Sequence, residues 1–373
     1  MSVFALAVMS ISFYLIIIFL LYLFAIKSTK VIITIGKRKI IHNRYNIFFI
    51  FASVSLCVLY DLYITKTSIN MGGDRTNYLY EFNNDRGILT LGLQKFMDWF
   101  RLFSDDFTIF ILLICCICVG LTFVAYRINR NSTPIVIFLI FSSQYLFSIF
   151  VNFKQCFANA FAGIFFAVLF SQKGKKKDLF CIGLIILACL FHEAAVILTP
   201  IFLICRGRRV KDLKVWFVLF LIAIIFLDKI AIFSANILSP FVPDIASKIN
   251  SYFANISLAD SRIILLLKGI PYYIILWISV KRRQQLIEKI DHYDRYILIA
   301  LVIVFLQIGA LWSYWLPRAQ YFLYLPVFTL FGQIMAKSDA TKTNTVIKLL
   351  VCGSVLFFSL RDLIIMYIRY GGF

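Results

Sequence analysis

The chain is written in apolar blocks of about 20 residues, the length at which a helix crosses a hydrocarbon core ~30 Å thick. Such blocks fall near residues 3–26, 46–65, 107–126, 134–150, 156–171, 214–230, 262–280, 296–313, 318–336 and 347–366. Lipid offers no partners to exposed backbone, so the blocks must close their own hydrogen bonds as helices. Composition points the same way. Hydrophobic residues make up 62% of the chain and charged residues only 15%, whereas soluble domains carry roughly 45–50% and about 25%. A soluble enzyme and a disordered chain are excluded. The expected fold is an all-α polytopic membrane protein, a single transmembrane domain over 1–373 with larger external loops near 66–106 and 231–261. Val3 to Ile26 lacks a basic n-region and a small-residue cleavage site, so it reads as a spanning helix rather than a signal peptide.

Charge sets the topology. The net +20 is scattered in short clusters between blocks rather than gathered on one face, which argues against a nucleic-acid partner and for cytoplasmic loops rich in Lys and Arg. One stretch, Leu179 to Cys205, is 27 residues long with basic runs at both ends, Lys173–Lys177 and Arg206–Arg209. If it folds back on itself, the cytoplasmic loops are 27–45, 127–132, 172–178, 206–214, 281–295 and 337–348. They then hold 25 of the 38 basic residues. If it crosses once, 13 of those residues move outside. The fold-back is therefore expected, giving about ten spans plus one re-entrant pair of short helices. Each arm would be ~20 Å long at 1.5 Å per residue, which is shorter than the membrane. The turn at His192-Glu193 then lies in a cavity reached from outside, where protein or water must cover it.

Four polar clusters fall on that external side. They are Gly72 to Tyr78, Asn152 to Gln155 (with Asn159 a turn further), Phe191 to Ala195, and Trp315 to Phe322. Arg262 and Lys268, at the entry to a later helix, join them. Lys154 and Arg318 open helices, where free N–H groups and partial positive charge make a phosphate seat, and Arg adds a bidentate fork. An imidazole or carboxylate in the same cavity can take a proton from an attacking hydroxyl. The blander readings are snorkelling of Lys154 and Arg318 to headgroups and an inconsequential loop pair at Asp74-Arg75. His192 and Glu193 are costly to bury without partners. The nine Cys lack metal-ligand spacing and read as small apolar residues. No metal and no cofactor are expected. Ile88 to Phe103 reads as an amphipathic interfacial helix.

With these residues in hand, the chain resembles the EpsG family of Wzy-like bacterial exopolysaccharide and O-antigen polymerases. The resemblance is carried by Gly73-Asp74…Tyr78, by Asn152-Phe-Lys-Gln155 with Ala158, by Phe191-His192-x-Ala194-Ala195 with Pro200, and by Arg318-x-x-Tyr321-Phe322. Two positions depart from the family's habit: Lys154 stands where Arg is usual, and Glu193 where a small residue is usual. The resemblance implies a GT-C-like architecture and a metal-independent glycosyltransferase that joins repeat units carried on undecaprenyl diphosphate. It would work at the outer face of the bacterial inner (plasma) membrane, with lipid-linked donor and acceptor oligosaccharides and a chain-length regulator as partners. His192 and Glu193 are then the catalytic candidates, with His192 preferred as base. Asp74, Arg75, Tyr78, Asn152, Lys154, Gln155, Arg262, Arg318 and Tyr321 are the substrate-binding candidates, with Trp312, Tyr314 and Trp315 as aromatic faces for sugar rings. Two rival readings share the basic cavity: a flippase or transporter of the same lipid, which needs access from both faces, and a membrane O-acyltransferase, which needs a cytoplasmic donor route.

Overall fold

The computed structural model describes residues 31–35, 38–42, 73–84, 90–128, 134–143, 152–171, 175–206, 213–226, 262–311, 316–338 and 342–370, with isolated positions at 12, 16 and between 229 and 247. The expected spans 3–26 and 46–65, nearly all of the loop 231–261, and Trp312, Tyr314 and Trp315 lie outside the described residues. So do the side chains of Asp74, Arg75 and Arg262.

Most of the helices form where the sequence is apolar, with Gly73–Asn84 and Arg283–Leu286 as polar exceptions. The chain runs through α1 (Gly73–Asn84), α2 (Leu91–Arg101), α3 (Phe107–Ile128), α4 (Pro134–Ser142), α5 (Phe153–Ser171) and α6 (Lys175–Phe191). A 3₁₀ turn, Glu193–Ile197, leads into α7 (Leu198–Arg206) and α8 (Leu213–Ile225). Then come α9 (Arg262–Lys268), α10 (Ile270–Lys281), α11 (Arg283–Leu286), α12 (Tyr293–Gly309), α13 (Leu316–Gln320), α14 (Tyr324–Lys337) and α15 (Lys342–Tyr370). Among the described residues, four stretches are long and apolar enough to cross a membrane: Phe107–Ala125, Phe153–Phe170, Arg318–Lys337 and Thr343–Asp362. The all-α expectation holds apart from one element inside the segment read as a plain cytoplasmic loop. Val31–Ile35 and Arg38–His42 form an antiparallel hairpin, β1 and β2, with Val31 opposite His42 and Ile35 opposite Arg38. The β-branched runs on both sides of the two-residue Gly36-Lys37 link favour strands over helix.

Two compact units divide the chain, one comprising Met1–Glu193 with Val355–Phe373 and the other Ala194–Ser354. In the first, α5 is the central helix. Ala158, Ala160 and Ala162 are fully buried on it, and such small side chains let α3 and α6 approach closely. In the second, α12 is central and buried along nearly its whole length, with α8, α10 and α14 packed against it. The start of α12 is tied by ions. Arg283 donates two hydrogen bonds to Asp294, at 2.7 and 2.9 Å, and these bonds hold the guanidinium's pKa above its ordinary value.

Two helix breaks shape the polar regions. The stretch Leu179 to Cys205 is interrupted after Phe191, as expected, by the 3₁₀ turn. Pro200 in the first turn of α7 keeps that helix from running back through the Val196 carbonyl, four residues before it. The expected span 262–280 is likewise cut at Gly269. Pro271 begins α10, and a β-carbon at 269 would overlap the Tyr273 phenol.

Candidate functional site

α1 carries Tyr78 on its buried face, 1% exposed. The Tyr78 ring stacks on Phe153 with centroids 5.0 Å apart, and its hydroxyl donates to Asn152 Oδ1 at 3.1 Å. The same oxygen accepts the backbone N–H of Gln155, also at 3.1 Å. Asn152 is thus the N-cap of α5, the position where a side-chain oxygen serves an otherwise orphaned donor. Lys154 follows in the first turn, half-buried, with Nζ 6.0 Å from the Tyr78 ring centroid, a cation–π distance. Among the described residues no carboxylate pairs with this ammonium. Gln155 is 1% exposed. Its Nε2 donates to Asn159 Oδ1 at 2.8 Å, while its buried Oε1 has no hydrogen-bond partner among the described residues. The sequence brought Asn152 forward as a sugar contact; in the fold its carbonyl oxygen is already engaged twice.

The second cluster of the same unit packs on α5 through aromatic rings. Phe157, one turn along α5 from Phe153, stacks on Phe191 at 4.5 Å, and Phe161 adds a second ring at 5.7 Å. His192 follows directly, 4% exposed. Its amide still bonds to the Ala188 carbonyl at 2.9 Å, extending α6 by one residue. Glu193 begins the 3₁₀ turn and is exposed. The two adjacent acid–base candidates therefore differ in environment, the imidazole enclosed and the carboxylate open.

In the other unit, Arg318 is half-buried in the short helix α13, with Tyr321 opening the 3₁₀ turn before α14. The Tyr321 ring meets Tyr324 edge-on at 5.4 Å, and Tyr324 stacks on Tyr272 at 5.6 Å. Gln320, between Arg318 and Tyr321, is buried, and its Oε1 has no hydrogen-bond partner among the described residues. Arg262 is the first residue of α9, and Asp74 and Arg75 lie in the first turn of α1. Tyr78, Asn152, Lys154 and Gln155 are thus brought into one cluster, and Phe157 on the same helix stacks on Phe191 beside His192, while Arg318 and Tyr321 lie in the second unit.

The sequence model of the EpsG family matches residues 46–370. The chain belongs to the EpsG family. No curated protein and no solved structure matches it. The EpsG match covers all four polar clusters, including every candidate residue from Asp74 to Tyr321. It makes the chain a multi-pass membrane protein of the Wzy-like polysaccharide-polymerase type. What sequence reasoning missed within this candidate site are Asn152's role as a cap and the partners of Phe191. An Asn just before an apolar helix was a signal for the first; nothing local signals the second.

Proposed function

We propose that this protein polymerises oligosaccharide repeat units carried on undecaprenyl diphosphate, at the extracytoplasmic face of a bacterial inner membrane. The acceptor hydroxyl attacks the anomeric carbon of the donor glycan. The bond from that carbon to the phosphate oxygen breaks, undecaprenyl diphosphate leaves with the negative charge, and the hydroxyl proton passes to His192. Lys154, Arg318 and Arg75 balance the diphosphate, so no metal or cofactor is called for. Asp74, Tyr78, Asn152, Gln155, Arg262 and Tyr321 bind sugar hydroxyls or orient the charged groups, and Glu193 serves as the alternative base. The fold proposed for this chemistry is one transmembrane domain of about ten spans with a re-entrant pair at 179–205, GT-C-like in architecture, with a chain-length regulator as partner.

The observation that supports this reading best is the first-unit cluster. A half-buried ammonium in the first turn of α5 stands on the Tyr78 ring, and one turn along the same helix Phe157 stacks on Phe191, the residue before the buried His192. Cation and base are what diphosphate departure and hydroxyl attack require. In a deletion strain, single repeat units capping the carrier lipid should accumulate on the outer leaflet while long chains disappear. Normal chain-length ladders would refute the proposal. Within a complemented strain, Arg318→Ala should abolish polymer and Arg318→Lys should keep a fraction, since a point charge retains attraction but loses the fork. Wild-type polymer from a well-expressed Arg318→Ala protein would remove Arg318 from the site.

A further inference from the structure

His192 has no element of its own. It is the first residue past α6, held by its amide to the Ala188 carbonyl, so its backbone position depends on how the last turn of α6 is fixed. The final carbonyls of a helix have no partner within it. Here the Phe191 carbonyl, immediately before His192, accepts a hydrogen bond from the Thr90 hydroxyl at 2.8 Å, across 101 residues of sequence.

Thr90 is an unusual donor. It is the N-cap of α2, with extended backbone at φ −63° and ψ 145°, where a threonine ordinarily turns its oxygen onto its own helix. No such bond forms at the start of α2. The hydroxyl is directed to α6 instead, against the local preference. Gly92, two residues on, permits the approach: a β-carbon there would sit 2.8 Å from the Leu190 carbonyl oxygen and 2.9 Å from its carbon. Phe96 on α2 then meets Phe157 edge-on at 5.2 Å, the same ring that stacks on Phe191. The residue before His192 is therefore held by its carbonyl from α2 and by its ring from α5.

We propose that Thr90, with Gly92 allowing its approach, is a positioning residue for His192: the Thr90–Phe191 bond fixes the last turn of α6 so that the imidazole is presented in one orientation. The proposal rests on the reading of His192 as the base. A cap with a purely structural role would change stability and leave turnover of the folded enzyme alone. A positioning bond changes kcat.

The test uses the full-length protein in nanodiscs and, as substrate, the lipid-linked repeat unit extracted from the deletion strain. Thr90→Val removes the hydroxyl at constant shape, and Thr90→Ser keeps it. The expected result is a kcat lower by roughly 10–100-fold in Thr90→Val, the scale of a small misplacement of a reacting group. KM should be unchanged, turnover restored in Thr90→Ser, and hydrogen exchange at residues 190–194 faster in the Val variant only. Gly92→Ala should follow Thr90→Val. Equal turnover in Val and Ser variants, or a change confined to KM, overturns the proposal. So does unchanged exchange in Thr90→Val beside an inactive His192→Ala, an outcome that leaves the base assignment standing. If His192→Ala polymerises normally while Thr90→Val still speeds exchange, the base assignment falls and the fixing of the turn survives.

Discussion

One oxygen carries much of the first-unit cluster. Asn152 Oδ1 serves both the first turn of α5 and the Tyr78 hydroxyl, so its loss and the loss of Tyr78's hydroxyl are not equivalent. Tyr78→Phe keeps the stack on Phe153 and removes a hydrogen bond worth about 1 kcal/mol. Asn152→Ala removes that acceptor and the cap as well, adding about 0.5–2 kcal/mol. Thermal unfolding of the two purified variants should therefore rank Asn152→Ala clearly below Tyr78→Phe; the reverse order would show that the cap contributes little. At position 154, Arg should be tolerated and Ala should cut polymer sharply, because charge and helix-start position survive only in the first; equal polymer from both would take Lys154 out of donor binding. That a helix starts here was legible, since Asn before an apolar run is a start signal, although the capping bond itself was not drawn from it. The partnership with Tyr78, 74 residues away, is a product of packing and leaves no local trace.

Elements were readable for a simple reason. Membrane helices are long, apolar and bounded by charge, so the expected segments 107–126, 156–171 and 347–366 lie within α3, α5 and α15 with only small extensions. What escaped were interruptions and the β-hairpin. Gly269 and Pro271 divide an expected span into α9 and α10, because the proline has no N–H to give and its ring displaces the carbonyl four residues back. Gly269 is there for a close approach: a β-carbon would meet the Tyr273 ring and lie 2.8 Å from Gln307 Cγ. Gly269→Ala must move Tyr273 or part α10 from α12, an overpacking that costs about 1–3 kcal/mol. A melting temperature equal to wild type in Gly269→Ala would mean that Tyr273 swings aside freely. The amphipathic segment 88–103 was found as a helix, α2, but its sequence gave no hint that one side seats on the end of α6. Leu93, Met97 and Phe100 are buried, while Leu91, Trp99, Leu102 and Phe103 remain exposed as an apolar face suited to an interface.

For the molecule as a whole the governing quantity is where the positive charge lies. Lys and Arg near helix ends resist translocation, and the bias over short loops sets orientation. With the chain doubling back between residues 179 and 205, six short loops on one side collect most of the basic residues; with a single crossing, three of those loops are forced across. The helix break after Phe191 supplies the place for such a reversal. α6 has 17 residues, ~25 Å at 1.5 Å per residue, and α7 has nine, ~13 Å. The described part of α7 is shorter than a ~30 Å core. Lys176→Cys and Arg208→Cys, introduced separately into a variant cleared of native cysteines, should both be shielded from an impermeant thiol reagent in intact cells and both react once the membrane is opened. Glu193→Cys, exposed at the start of the 3₁₀ turn, should react in intact cells, since the turn is expected to face a cavity open to the outside. Labelling of 176 and 208 from opposite sides would make the stretch a simple span, reverse every later loop, and move Arg318 to the cytoplasmic face, away from the external site in which it is proposed to hold the diphosphate.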